Sequence, residues 1–331
     1  MPGSLNKVKA IGWFIKEYGV AQVSMNITDI SVTPVHLAFD EVCRKAEARG
    51  VRVTGSELVG LIPLKSLLDA GRYFLEKQQR SAGVSDDELI KIAIRSMGLN
   101  ELHPFIPEEK VIEYMMKEEK KQELISLNLK EFMNLTASES PVPGGGSVSA
   151  YMGAMGVSLG TMVANLSSHK KGWDDRWKEF SDKAVKGKEI QEKLLQLVDA
   201  DTEAFNKILE ARRLPKSGPE EIKIRDEAIN SAYREAIIVP FRVMETAYSG
   251  FAIIKDMVEN GIPSSVSDAA VGSLALLACV KGAHLNIKIN VTGMDDKEFI
   301  NEILARAKEI EAKSILIQEE ITQVANTRIS L

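Results

Sequence analysis

From Ser140 to Ser168 the chain carries no charged residue, and PVPGGGSVSAYMGAMGVSLGTMVANLSS makes up all but the first position. A stretch of that length must satisfy its backbone polar groups internally, so it forms a helix enclosed by other helices or by lipid. It is long enough to span a bilayer. Against the membrane, it opens with Pro141, Pro143 and three glycines, and its apolar residues are mostly Ala, Met and Val, where lipid-facing helices favour Leu, Ile and Phe. The expectation is a buried helix inside a helical domain. Gly156 and Gly160 share one helical face and admit a second helix closely, which marks a packing seam.

The rest of the chain divides around this helix. Up to about Pro104, VKAIGWF and VAQVSMNITDI read as a hairpin across the turn Lys16-Glu17-Tyr18-Gly19. Thr33-Pro34 then opens a helix whose apolar residues Val35, Ala38, Phe39, Val42, Cys43 and Ala46 share a face before Gly50 ends it. A short strand at Val51–Thr54, a loop, a helix from Leu64 and a helix from Asp86 to Met97 complete the unit. The next stretch, FIPEEKVIEYMMKEEKKQELI, is densely charged without a long apolar face and reads as a linker. From Asn128 onward the period is helical, with helices expected at 128–137, 147–168, 175–212, 219–248, 250–260, 267–285 and 295–326. The predicted fold class is therefore α+β overall: a small α/β unit over residues 1–105, a linker over 106–127 and an all-α domain over 128–331.

Charge and cysteine content exclude several functions. Lys and Arg total 42 against 47 Asp and Glu, a formal charge of −5, which leaves no basic excess to grip nucleic acid or an acidic membrane. Cys43 and Cys279 are far apart with no paired spacing, as in a reducing, cytoplasmic setting. The N-terminus shows no signal-like apolar run, so no export is expected. His36, His103, His169 and His284 lack metal-ligand spacing, and neither a GxSxG elbow nor a dinucleotide fingerprint is present. No metal is expected.

Chemistry concentrates in LLQLVDADTEAF. On a regular helix Leu194, Leu197, Val198, Asp201, Ala204, Phe205 and Ile208 share one face, so Asp201 falls on the apolar side. Its carboxylate is either satisfied by a buried partner, as in capping another helix, or kept partly protonated by a raised pKa, which would fit it for proton transfer near neutral pH. Asp199 and Glu203, on the polar stripe, read as solvated. Gly144, Gly145, Gly146 and Ser147 lead into the uncharged helix with Ser147 placed as N-cap. Their free N–H groups favour an anion, and a loop needing positive φ explains the glycines equally well. Asp268, in the first turn of an apolar helix, suits the helix dipole, while Asn286 and Asn290 sit among Leu285, Ile287, Ile289 and Val291 and need partners if buried. Trp173 and Trp177 read as packing residues, and Lys170, Lys171, Arg212, Arg213 and Lys216 as basic clusters at helix ends that could meet a polyanionic tail.

These strings resemble the formiminotransferase-cyclodeaminase family. PGSLNKVKAIGW, AQVSMNITD, GSELVGLIPLKSLLDAG and GLNELHPFIPEEKVIEY look like the C-terminal subdomain of its transferase part, and PVPGGGSVSA, LVDADTEAF, RLPKSGPEE and SDAAVGSLALLACVKGAHLNIKIN like its cyclodeaminase part. The resemblance implies conversion of 5-formiminotetrahydrofolate to 5,10-methenyltetrahydrofolate and ammonia. The tetrahydrofolate derivative, polyglutamylated or not, would be substrate, with no tightly bound cofactor. It implies a homodimer or larger homo-oligomer with the site near a subunit contact, Asp201 as acid and base, and Gly144, Gly145, Gly146, Ser147, Asp268 and Asn286 around the folate. It further implies that residues 1–105 correspond to the transferase's C-terminal subdomain and that its N-terminal subdomain, with its catalytic histidine, is lacking; His36 does not match that histidine's motif. The chain alone would then not transfer a formimino group, and a separate N-terminal transferase subdomain would be a partner. Two other readings stay open: a methenyltetrahydrofolate cyclohydrolase, and a non-catalytic folate-binding assembly subunit.

Overall fold

The computed structural model describes residues 4–17, 19–116 and 123–329. The chain forms two compact units, Met1–Glu119 and Lys120–Leu331.

In the first unit, β1 (Val8–Ile15) and β2 (Val20–Ile27) pair antiparallel, with Val8 opposite Ile27 and Ile15 opposite Val20. Of the expected turn, Tyr18 lies outside the described residues; Gly19 adopts φ +64°, a left-handed conformation suited to glycine. Helices α1 (Val35–Glu47), α2 (Leu64–Lys77) and α3 (Asp86–Met97) follow, then two single turns, α4 (Pro107–Lys110) and α5 (Ile112–Met115). The Thr33 hydroxyl donates to the Asn6 carbonyl and does not cap α1, whose N-cap is Pro34. The core joins Leu67, Ala70 and Phe74 of α2 to Ile90, Ala93 and Ile94 of α3. Gly71 permits this contact, because a Cβ there would lie 2.3 Å from the Leu89 carbonyl oxygen.

Two expectations for this unit are corrected. Val51–Thr54 forms no strand; β-branched residues become a strand only where a neighbour supplies hydrogen bonds, and among the described residues no strand pairs with them. The stretch assigned to a linker begins as part of the core: Phe105 and Val111 are buried in it, and Ile62 and Val111 form an isolated parallel bridge. Residues 117–122 of that stretch lie outside the described residues.

The second unit is helical: α6 (Leu129–Thr136), α7 (Gly145–Ser168), α8 (Trp177–Arg213), α9 (Pro219–Asn260), α10 (Val266–Asn290) and α11 (Lys297–Ile329). The uncharged segment is α7, and small residues set its register against two neighbours. Against α8, Gly146 meets Asp201, Gly153 meets Leu194 and Thr161 meets Gly187; against α10, Gly145 meets Asn286, Gly153 meets Cys279 and Gly156 meets Gly272. Both pairings are therefore antiparallel. By length and composition α7, α9 and the segment Pro263–Gly293 could each cross a membrane; in α7 61% of the most apolar window is buried within the protein.

Helix α9 runs unbroken where the sequence predicts a break before Gly250. That glycine is buried against Leu276 and Val157, so it serves close packing and does not terminate the helix. Pro240 sits inside the same helix. Proline has no N–H, so the carbonyl of Ala236 loses its partner four residues on. The side-chain amide of Asn290, at the end of α10, donates to that carbonyl at 2.7 Å. Asn290 thus repairs the ladder of α9, and α10 extends to Asn290, five residues past the expected end.

Candidate functional site

The first N–H groups of a helix have no intrahelical partner. At the start of α7 the N-cap is Gly144, which has no side chain to supply one. Ser147, expected as the N-cap, instead lies inside the first turn and is fully buried. The missing acceptor comes from α8. The carboxylate of Asp201 accepts the Ser147 hydroxyl at 3.0 Å on Oδ2 and also accepts the Ser147 backbone N–H. The carboxyl lies flat on the α7 backbone: a Cβ at position 146 would come within 2.0 Å of Oδ1. With the carboxyl there, position 146 has no room for a Cβ, so Gly146 is explained by close approach to a carboxyl group, and none of Gly144, Gly145 and Gly146 has a positive φ.

Burial raises the Asp201 pKa from its ordinary value, against the lowering effect of the Ser147 hydroxyl and backbone N–H. A group held this way can release and recover a proton closer to neutrality than a surface aspartate. The Ser147 oxygen also lies 3.2 Å from the Thr202 hydroxyl. Thr202 is the residue the sequence reading missed; its proximity to Asp201 in VDADT was the available signal.

Asn286 completes the cluster from α10. Its amide packs over Gly145, with Nδ2 3.4 Å from where a Cβ would stand, and donates to the Gly282 carbonyl at 2.9 Å. Gly144, Gly145, Gly146, Ser147, Asp201 and Asn286 therefore meet at one end of the bundle. Asp268 does not join them. It stands in the first turn of α10, about five turns and roughly 27 Å from Asn286 along the same helix.

Asp199 also departs from its expected role. Its Oδ1 accepts the Leu124 N–H at 2.6 Å, while its Oδ2 is buried without a partner. Burial raises its pKa, opposed by the Leu124 and Ile125 N–H groups and reinforced by Glu123 and Glu203. The wheel placed Asp199 on a solvated stripe because it could not see residues 123–127 lying over it. Trp173 stacks on Phe180 with ring centroids 5.5 Å apart, and His284 pairs with Glu311. Among the described residues, no group of three or more His, Cys, Asp or Glu could hold a metal ion.

This site sits in a recognisable family. Residues 128–309 match the family described as formiminotransferase-cyclodeaminase, and residues 1–117 match the formiminotransferase domain. The chain belongs to the formiminotransferase-cyclodeaminase family. It is 36% identical over 325 residues to formimidoyltransferase-cyclodeaminase of Sus scrofa, covering 98% of this chain and 59% of that protein. The chain thus spans about three-fifths of the length of that relative. Methenyltetrahydrofolate cyclohydrolase of Methylorubrum extorquens is 29% identical over 202 residues, covering 61% of this chain and 97% of that protein. The crystal structure of formiminotetrahydrofolate cyclodeaminase from Thermotoga maritima aligns with a TM-score of 0.55 and 28% identity, covering 62% of this chain and 100% of that one.

The match over residues 1–117 corrects the expectation that the N-terminal transferase part is lacking. That expectation rested on strings read as the transferase's C-terminal subdomain alone, whereas the domain match extends over residues 1–117. With a transferase domain present in the chain, no separately supplied one is invoked.

Proposed function

We propose that the helical unit is a formiminotetrahydrofolate cyclodeaminase and that Asp201 moves the protons. The observation that carries this reading is the Asp201 carboxyl, half-buried, raised in pKa and pressed on the glycine backbone at the start of α7. In the reaction, N10 of the folate attacks the formimino carbon and gives its proton to the Asp201 carboxylate. The former imine nitrogen, now an amine, takes that proton and one more from solvent and leaves as ammonia. The carbon remains as the cationic methenyl bridge between N5 and N10. One carboxyl serves as base and then as acid, which calls for a pKa nearer neutrality than an exposed aspartate has. Asn286 and the Gly144–Ser147 turn line the same end of the bundle and are proposed to hold the folate; Asp268, at the far end, is not assigned a part.

The test is methenyltetrahydrofolate absorbance together with ammonia release from 5-formiminotetrahydrofolate. The wild type should give equal amounts of both, and Asp201→Asn should lose at least about a hundredfold in rate while remaining folded. Hydrolysis of methenyltetrahydrofolate without ammonia release would establish the cyclohydrolase reading instead, which the 29% identity to the Methylorubrum protein favours.

The working form is proposed to be a homodimer, supported by apolar residues left exposed on α7 and α10. Met155, Met162 and Leu166 on α7, and Val271, Leu274 and Leu285 on α10, recur at helical spacing on their outer faces. Apolar stripes of this kind are covered when two protein surfaces meet. Sedimentation should show a dimer, and Leu274→Glu should shift it toward monomer; a monomeric wild type would remove the proposal.

A further inference from the structure

We infer that Ser147 and Thr202 are positioning residues that form a hydroxyl relay onto Oδ2 of Asp201 and steady its ionised carboxylate between proton transfers. The inference deepens the cyclodeaminase reading and rests on it for its kinetic part only.

The two carboxyl oxygens of Asp201 are not equivalent. Oδ2 takes the Ser147 O–H at 3.0 Å, and the Ser147 oxygen is in turn within 3.2 Å of the Thr202 hydroxyl. No side-chain donor reaches Oδ1 among the described residues; it meets the Gly146 backbone, where the absent Cβ leaves its space. The hydroxyl on Oδ2 and the Ser147 backbone N–H both stabilise the ionised carboxyl. The chain Thr202 O–H to Ser147 O–H to Oδ2 orients each hydroxyl, because Ser147 can donate to the carboxylate while accepting from Thr202. In the cyclisation the proton from N10 lands on the Asp201 carboxyl, and the same group returns it to the departing nitrogen. Ser147 and Thr202 keep their own protons throughout, so nothing further is consumed.

Charged groups do not substitute for this pair. Among the described residues, Asp201 has no ionic neighbour shaping its titration; only burial and the Ser147 donors do. From α7 it faces Gly146 and Ser147, neither titratable, and the α10 side chain over the adjoining Gly145 is the neutral amide of Asn286. Glu203, on its own helix, is exposed on the polar stripe. Removing a hydroxyl should therefore act directly on the Asp201 titration.

The experiment follows the carboxyl carbons of aspartate-labelled full-length protein by NMR from acid to neutral pH, with Asp201→Asn identifying the signal. In Ser147→Ala the Asp201 midpoint should rise by about one pH unit, since the ionised form loses a charge-assisted hydrogen bond. Thr202→Val should move it in the same direction by less than half as much, and Thr202→Ser should restore it. The acidic limb of the rate profile should move with each midpoint while KM stays near the wild-type value. An Asp201 midpoint unchanged in Ser147→Ala and Thr202→Val overturns the inference. If Ser147→Ala does not fold, the Thr202→Val and Thr202→Ser pair decides it by the same criterion. If the wild type releases no ammonia, the cyclodeaminase reading fails, and the NMR midpoints still decide where the hydroxyl pair acts.

Discussion

The start and the middle of helix α7 use glycine for different purposes. At its start, Gly146 makes room for the carboxyl of Asp201, the end of a side chain that has other places to go. Farther along, Gly156 lies against the backbone of α10, where a Cβ would be 2.8 Å from the Gly272 carbonyl oxygen and 3.1 Å from the Ala275 Cβ. One glycine shapes a polar site and the other closes a seam between helices. The comparison teaches that the small residues of an uncharged helix cannot be assigned a common role from their spacing; what stands opposite each decides it.

Substitution by alanine should separate the two positions. Gly146→Ala should displace the Asp201 carboxyl and lower cyclodeaminase turnover by about a hundredfold or more, with a thermal midpoint near the wild-type value because a side chain can swing aside. Equal losses of stability and rate in that variant would show that the start of α7 is a seam like the rest. Gly156→Ala should reverse the pattern. It asks two backbones to part, an overpacking cost of about 1–3 kcal/mol, and denaturant unfolding should show it while turnover of the folded fraction stays within a few-fold of wild type.

A smaller effect sharpens the electrostatic side of the contrast. Burial raises the Asp201 pKa in the folded chain, so the folded state holds this proton more tightly than the unfolded state. The resulting stability is present below the unfolded carboxyl value of about 3.9 and is lost as pH rises through the raised folded value. Asp201→Asn should therefore melt a few degrees above wild type at neutral pH, with the difference shrinking toward zero below about pH 4. A difference independent of pH would mean that the carboxyl carries no burial cost.

The helical unit was largely legible because its period is long and its apolar faces are broad. The same wheel that located α8 put Asp201 among Leu194, Val198, Ala204 and Ile208, all of them buried, so the anomaly of a carboxyl on that face could be read directly. What a wheel cannot show is the neighbour. It missed that residues 123–127 cover Asp199, and that Thr202 stands beside the Ser147 hydroxyl. It also allowed Asp268 and Asn286 to be grouped, although residues five turns apart on one helix cannot share a small site. In the first unit, Val51–Thr54 carried strand propensity without a partner strand, and the stretch from Phe105 was charged enough to pass for a linker although Phe105 and Val111 anchor it in the core.

The bond from Asn290 to the Ala236 carbonyl has a reach beyond the gap that Pro240 opens. It works as an index mark for the rotational setting of α10. One turn before it on the same helix lies Asn286, and a helix pinned at Asn290 cannot roll without carrying Asn286 off Gly145. The defect in one helix thereby fixes the angular phase of another, and the aim of a site residue is set by a proline in the neighbouring helix.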